Sequence, residues 1–219
     1  MTVPDIFDEV DEDLRAERAR KMLQRYGGVA VLAAVLLVVA VGGWEAWKWH
    51  AARENARVAQ LFLTALDGAA GPPGDARRAA ALQLAEVARD GNAGYRTLAR
   101  LRAAALKADS GDAAAAQALW AQVAADSSAD PLLRDAAVLQ SVQHEIDSGD
   151  PAVLAGRLKP LVRPDNPWHG LAQEAQALLD LRQGHNDAAR DTLKALGQDV
   201  TAPDGVRGRA NGLLARIGG

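Results

Sequence analysis

Hydrophobic and polar positions follow one pattern near the start of the chain and a different pattern over the rest. Residues 26–44, YGGVAVLAAVLLVVAVGGW, are 19 consecutive residues without a charge. As a helix rising about 1.5 Å per residue, this run covers roughly 28 Å, close to the ~30 Å hydrocarbon core of a bilayer. A buried helix of a soluble protein usually keeps a polar face over such a length. The pattern therefore predicts a transmembrane helix.

The first helix is expected to continue past the apolar run, because residues 45–67 contain neither Gly nor Pro. The sequence Gly71-Pro72-Pro73-Gly74 then ends it, since proline lacks the backbone N–H that a helix needs. The predicted apolar stripe of this extension consists of Ala59, Phe62, Leu63 and Leu66.

Apolar residues recur at helical spacing over the remaining chain, between clusters of Gly, Pro, Asp and Asn. Asp130, Asp150 and Asn186 are placed to cap three of the predicted helices. The links are short, so consecutive helices are expected to pack as antiparallel hairpins. The predicted helices cover residues 75–90, 94–109, 113–126, 131–147, 151–162, 168–183, 186–197 and 204–217.

Three short turns repeat along this helical region, at Gly111, Gly149 and Gly184, with intervals of 38 and 35 residues. Periods of this size are typical of helical solenoids. In the first and third units, an alanine lies seven residues before the glycine, another lies five after it, and a bulky apolar residue lies nine after it. This is the spacing of tetratricopeptide (TPR) repeats. The positions that share it are Ala104, Gly111, Ala116 and Trp120 in one unit, and Ala177, Gly184, Ala189 and Leu193 in the other.

The middle unit departs from this spacing, with Val142, Leu154 and Leu158 at the equivalent places, so its register stays open. The sequence predicts an all-α protein: a single N-terminal transmembrane helix followed by a TPR-like α-solenoid of antiparallel helix hairpins. Its expected parts are a charged amphipathic tail (1–25), the transmembrane helix (26–49), a helical extension with a Gly/Pro linker (50–74) and the repeat domain (75–219).

Aromatic side chains stand at both ends of the apolar run, where amphipathic rings settle at headgroup depth: Tyr26 on one side, and Trp44, Trp47 and Trp49 on the other. Ala40-Val41-Gly42 would suit cleavage of a signal peptide. The acid-rich preceding segment of 25 residues and the tryptophans favour an uncleaved anchor instead.

Basic residues close to the span set its expected orientation. Three basic residues follow it, whereas five precede it, which places the N-terminus in the cytoplasm and the C-terminal domain in the periplasm. The five are Arg15, Arg18, Arg20, Lys21 and Arg25. The tail itself is either a cytoplasmic docking helix or a solvated flank.

Composition narrows the function classes. The chain has 48 alanines, which favours closely packed helices, and a net charge of −3, which is too small to indicate a nucleic-acid partner. It has no cysteine, which excludes disulfides and Cys-based metal sites.

Sequence motifs for catalysis are absent. The histidines, His50, His144, His169 and His185, include no i, i+4 pair, and no HExxH, GxxxxGK[ST] or GxSxG motif occurs. The sequence therefore predicts no enzyme, cofactor, metal or small-molecule substrate. Trp120 is expected to pack in the core and not to anchor a bound peptide.

The whole chain resembles the YfgM-type proteins of the bacterial inner membrane. The resemblance rests on the acidic start DIFDEVDEDLRAERARKMLQRYG, the single span, and the segment NPWHGLAQEAQALLDLRQGHNDAARDTL from Asn166 to Leu193. It implies an ancillary, non-catalytic subunit of the Sec translocon. Its expected partners are the translocon and a membrane-anchored parvulin-type prolyl isomerase, with which it would assist exported proteins as part of a periplasmic chaperone system.

Two function classes remain open at this point. In the first, the hairpin stack offers a concave face to partners at the exit of the export channel. In the second, the protein is a TPR adaptor of envelope assembly or cell division, without a chaperone role.

Overall fold

The computed structural model describes the backbone of residues 6–218, with the side chains of Arg25, Gly28, Val29 and residues 31–218. This part of the chain is helical and contains no strand, so the prediction of an all-α fold is confirmed. The helices are α1 (Ile6–Ala70), α2 (Asp75–Asp90), α3 (Ala93–Asp109), α4 (Ala113–Ala125), α5 (Pro131–Glu145), α6 (Pro151–Leu158), α7 (His169–Arg182), α8 (Asn186–Gln198) and α9 (Asp204–Ile217).

The chain divides into two compact units, residues 1–54 and residues 55–219. In the first unit, α1 carries an exposed apolar surface. The segment Val31–Ala70 of α1 is long and apolar enough to span a membrane. The rings of Trp44 and Trp47 lie 5.6 Å apart, and the Arg53 guanidinium lies 3.5 Å from the centre of the Trp49 ring. The backbone of Tyr26 and of the basic residues that precede it is helical; the side chains of Tyr26, Arg15, Arg18, Arg20 and Lys21 lie outside the described part.

The second unit is a stack of helices in two layers. Helices α3, α5, α7 and α9 contact one another in that order, and we call them the inner layer. Within the described residues, α2, α4, α6 and α8, the outer layer, contact only their neighbours along the chain. This alternation is the arrangement of an α-solenoid, in which the closer helices line the inside of the curve.

Residues 55–70 of α1 belong to this second unit and pack against α2 and α3. The buried stripe consists of Val58, Phe62, Ala65 and Ala69, so the predicted stripe is wrong at Leu63, which is 60% exposed. The reason is geometric: α2 and α3 both pack on one side of the helix. The face that they cover is rotated from the one that apolar periodicity alone indicates.

Helix α6 ends at Leu158 instead of the predicted residue 162. Pro160 has no N–H to donate to the carbonyl of Gly156, so the regular hydrogen-bond ladder stops there. The chain continues as turns, in which the Val162 N–H still donates to the Leu158 carbonyl at 3.1 Å.

Two of the predicted caps are confirmed. The carboxylates of Asp130 and Asp150 accept the N–H of Leu132 and of Ala152, each at 2.8 Å. The third is wrong: Asn186 is the first residue of α8, and the preceding cap residue makes no side-chain hydrogen bond.

Candidate protein-interaction surface

The small residues of the repeat spacing lie where helices touch. Ala104, Ala116, Ala177 and Ala189 are fully buried. Ala104 and Ala116 share a core cluster with Trp120, and Ala177 shares another with Leu193. Methyl side chains let two helices approach closely, and the bulky residue fills the space that remains.

Trp120 lies in the core, as expected. Its side chain is 1% exposed, and its indole Nε1–H donates to Gln140 Oε1 at 2.8 Å. The His144 ring lies 4.8 Å from the Trp120 ring. A buried indole whose donor is satisfied packs between repeats.

The three turn glycines act in two different ways. Gly111 and Gly184 have φ values of 82° and 79°, in the left-handed region. In both turns, the third residue after the helix donates its N–H five residues back, from Asp112 to Lys107 and from His185 to Asp180. This Schellman arrangement satisfies the last carbonyls of the helix.

Gly149 is different, because its φ is not positive. A Cβ atom there would lie 3.1 Å from the Glu145 carbonyl oxygen and 3.2 Å from Leu154 Cδ1. The residue that follows, Asp150, precedes a proline and is extended, with ψ of 120°, whereas ψ is 65° at Asp112. Pro151 therefore forces a different turn on the middle unit.

Polar contacts join the α5 region to the α7 region, and α7 to α9. Trp168 Nε1–H donates to the Leu132 carbonyl at 2.9 Å, and Arg182 donates to the Ile146 carbonyl at 2.7 Å, both across 36 residues. Arg209 holds Glu174 across 35 residues. These separations are close to the 35–38 residues between turn glycines, so the contacts join corresponding parts of successive repeats.

The Glu174–Arg209 pair lies on the exposed side of the inner layer. Arg209 Nε and Nη2 donate to the two Glu174 carboxylate oxygens, each at 2.6 Å, and Glu174 is only 7% exposed. This hydrogen bonding raises the pKa of Arg209 above its ordinary value. The pair fixes α9 against α7.

Two depressions adjoin this pair, with volumes of about 210 and 410 Å³. The lining residues come from α5, α7 and α9, with Ile146 directly after α5, so both open on the inner face. Leu178 lines both of them, and Arg216 at the rim is exposed. The remaining lining residues are Gln143, Ile146, Ala175, Gly212 and Leu213. Apolar side chains beside an exposed guanidinium suit a peptide that has both apolar and carboxylate groups.

A groove of about 660 Å³ opens on the outer layer, between α4 and the short α6, with α5 as its floor. One end is closed by polar side chains: Ser141 and Gln117 hydrogen-bond each other, and Arg157 pairs with Glu145 at 2.8 Å. The exposed wall is a row of small residues of α4, namely Ala118, Ala121, Ala124 and Ala125.

The acidic residues at the helix ends serve structure. The side chain and backbone of Ser128 donate to Asp126, and these bonds hold the pKa of Asp126 below its ordinary value. A hydrogen bond from Lys107 acts similarly on the pKa of Asp112. Among the described residues, no group of three or more His, Asp or Glu side chains is placed to hold a metal ion.

The family model described as tetratricopeptide repeat-like domain matches residues 20–203. No curated protein and no solved structure matches the chain. The match covers the repeat units at Gly111, Gly149 and Gly184, and it agrees with the layered hairpins of the second unit. The chain belongs to the tetratricopeptide repeat-like domain family.

Proposed function

We propose that this protein is a non-catalytic, membrane-anchored interaction scaffold that acts as an ancillary subunit of the bacterial Sec translocon. In this proposal it assists exported proteins together with a membrane-anchored parvulin-type prolyl isomerase. The TPR-like fold supports a protein-interaction role in general, and the resemblance to YfgM-type proteins supplies the particular partners.

The observation that carries the proposal is the pair of depressions on the inner face beside Glu174 and Arg209. Contacts between repeats fix the backbone there, and no hydrogen bond within the described part of the chain satisfies Arg216. A rigid surface with apolar side chains and available donors can bind a partner segment with little ordering of its own groups.

The membrane anchor would keep the repeat domain close to the translocon. Residues 26–49 would span the inner membrane, with residues 1–25 in the cytoplasm and the repeat domain, 75–219, in the periplasm beyond the linker 50–74. Tethering to the same membrane as the translocon raises the effective concentration to about the millimolar range, so weak contacts suffice.

The test is recovery of partners from membranes that contain the full-length protein with a C-terminal tag, after detergent solubilisation, with identification by mass spectrometry. We expect the translocon channel and the isomerase to be recovered. Leu178→Glu and Arg216→Glu, which alter the inner face, should lower that recovery severalfold.

Val200→Glu is the control, because Val200 is 84% exposed in the turn after α8 and lines neither depression. It should leave recovery unchanged. Cell-wall or division proteins recovered without the translocon would contradict the proposal and favour an envelope-assembly adaptor. If both inner-face variants recover as much translocon and isomerase as the wild type, the binding surface lies outside the two depressions.

A further inference from the structure

A second groove on the outer layer has a different chemical character. It lies between α2 and α4, with α3 as its floor, and has a volume of about 440 Å³. We call it the α2–α4 groove. Its lining residues are Pro73, Gly74, Arg77, Arg78, Ala81, Ala85, Ala88, Arg100, Ala103, Leu106, Lys107, Asp109, Ser110 and Leu119.

The middle of the α2–α4 groove is apolar and shallow. Ala81, Ala85 and Ala88 follow one another at helical spacing along α2, so they present a single strip of methyl groups. Leu106 of α3 contributes to the floor, and Leu119 of α4 forms the opposite side. Small side chains on one wall let the backbone of a docked helix approach closely, as in helix-in-groove recognition.

The rim of the groove is basic. Four cations line it, against one carboxylate, Asp109, which Arg77 neutralises at 2.8 Å. The acidic neighbours of the other three cations, Asp75, Asp112 and Asp126, do not line the groove.

Two of these cations can exchange their present ion pairs for a carboxylate of a partner with little loss of stability. The Arg78 side chain is 79% exposed and that of Lys107 is 47% exposed, so their pairs with Asp75 and Asp112 are solvated. Exposed ion pairs typically contribute about 0–1 kcal/mol. A carboxylate on a bound partner can therefore share or replace the present neighbours.

We infer that the α2–α4 groove binds an amphipathic helix of a protein partner, whose apolar stripe lies on the alanine strip and whose acidic residues flank that stripe. The basic rim selects this occupant over a helix with basic flanks. The inference rests on the interaction-scaffold role alone and holds whichever membrane complex the partner belongs to.

The test places a photoreactive residue at Ala85, which is exposed on the groove wall, in the full-length protein in native membranes. The crosslinked segment is then sequenced by mass spectrometry. We expect a segment with apolar residues at helical spacing flanked by Asp or Glu. A lipid adduct, a second copy of this chain, a segment without acidic flanks, or no adduct would each overturn the inference.

A second experiment reverses the charge of two residues at the rim of the groove. Arg78→Glu combined with Lys107→Glu should reduce the adduct at least fivefold. The matched control is Arg190→Glu with Lys194→Glu on α8, since Arg190 also forms an i, i+3 ion pair and neither residue lines the groove. Thermal melting checks that both variants fold.

If the Arg78→Glu, Lys107→Glu variant forms as much crosslinked adduct as the wild type, the basic rim does not select the partner. Failure in either arm is distinct from failure of the translocon proposal, because that proposal is tested at Leu178 and Arg216 on the opposite layer.

Discussion

At the scale of single residues, glycine is required at equivalent turns for two different physical reasons. Gly111 and Gly184 supply a left-handed backbone, which costs an L-residue with a Cβ roughly 1–2 kcal/mol. Gly149 supplies space for the Glu145 carbonyl and the Leu154 side chain. A sequence repeat of turn glycines therefore does not imply a repeat of turn geometry.

Gly111→Ala should lower the free energy of unfolding by about 1 kcal/mol, because the space around it is open and only the positive φ opposes a side chain. The measurement is chemical denaturation of the second unit, residues 55–219. Gly208→Ala is the control: it lies within α9 with nothing near its Cβ position, so it should stabilise by about 0.5–1 kcal/mol. Equal effects of the two changes would contradict the role given to Gly111.

Asp126 should make stability depend on pH. Ser128 and Arg100 hydrogen-bond its carboxylate, and the bonds from Ser128 are the main cause of its lowered pKa. Since the unfolded chain takes up the proton first, the stabilisation is complete above the unfolded pKa and is lost as the pH falls through the lower folded value.

Asp126→Asn should therefore lower the melting temperature near pH 7, and the difference from the wild type should shrink below about pH 4. Melting curves over pH 3–7 measure this. Asp147→Asn serves as the control, because Asp147 is exposed and its side chain hydrogen-bonds to no described residue. A deficit of Asp126→Asn that stays constant down to pH 3 would show that the charge plays no part.

At the scale of elements, helix length and side-chain volume decide how the hairpins stack. Alanines at the crossing points bring the helices together, and the polar contacts that recur one period apart hold successive inner helices in register. The outer helices α4 and α6 do not contact each other, and the alanine face of α4 lines the groove between them.

Ala189→Leu should lower the free energy of unfolding by about 1–3 kcal/mol, since the site is fully buried and the added atoms overpack the α7–α8 hairpin. Ala188→Leu, one residue earlier and exposed, should change it by less than about 0.5 kcal/mol. Chemical denaturation of both variants gives the comparison. If Ala189→Leu has the same free energy of unfolding as the wild type, the repeat register assigned to this hairpin is incorrect.

At the scale of the whole molecule, the boundary between the units falls within one continuous helix. Residues 55–70 of α1 supply Val58, Phe62, Ala65 and Ala69 to the core of the second unit. The last part of the apolar helix is therefore also part of the repeat unit.

Deletion of residues 1–54 should leave a soluble, helical protein that unfolds cooperatively, because every buried core residue in the described part of the chain lies beyond residue 54. Deletion of residues 1–70 is the control. It uncovers Leu84, Val87 and Ala99, so that protein should melt at a lower temperature or aggregate. Circular dichroism and size-exclusion chromatography compare the two. Similar melting of both would contradict the assignment of residues 55–70 to the repeat unit.

The sequence by itself determined the helices, the apolar segment and the repeat period, because each depends on neighbours a few residues apart or on a spacing that can be counted. Helix periodicity, the caps at Asp130 and Asp150 and the turn glycines are local chemistry. The residues at the hairpin crossings, such as Ala189, followed from their distance to those glycines.

Only the tertiary structure decided which surfaces stay open. The Glu174–Arg209 pair joins residues 35 apart, and no local signal marks either partner. The burial of Val58 and exposure of Leu63 depend on where α2 and α3 pack, and both outer grooves exist because alternate helices do not touch. Surface between elements is set by packing geometry, and local propensity carries no information about it.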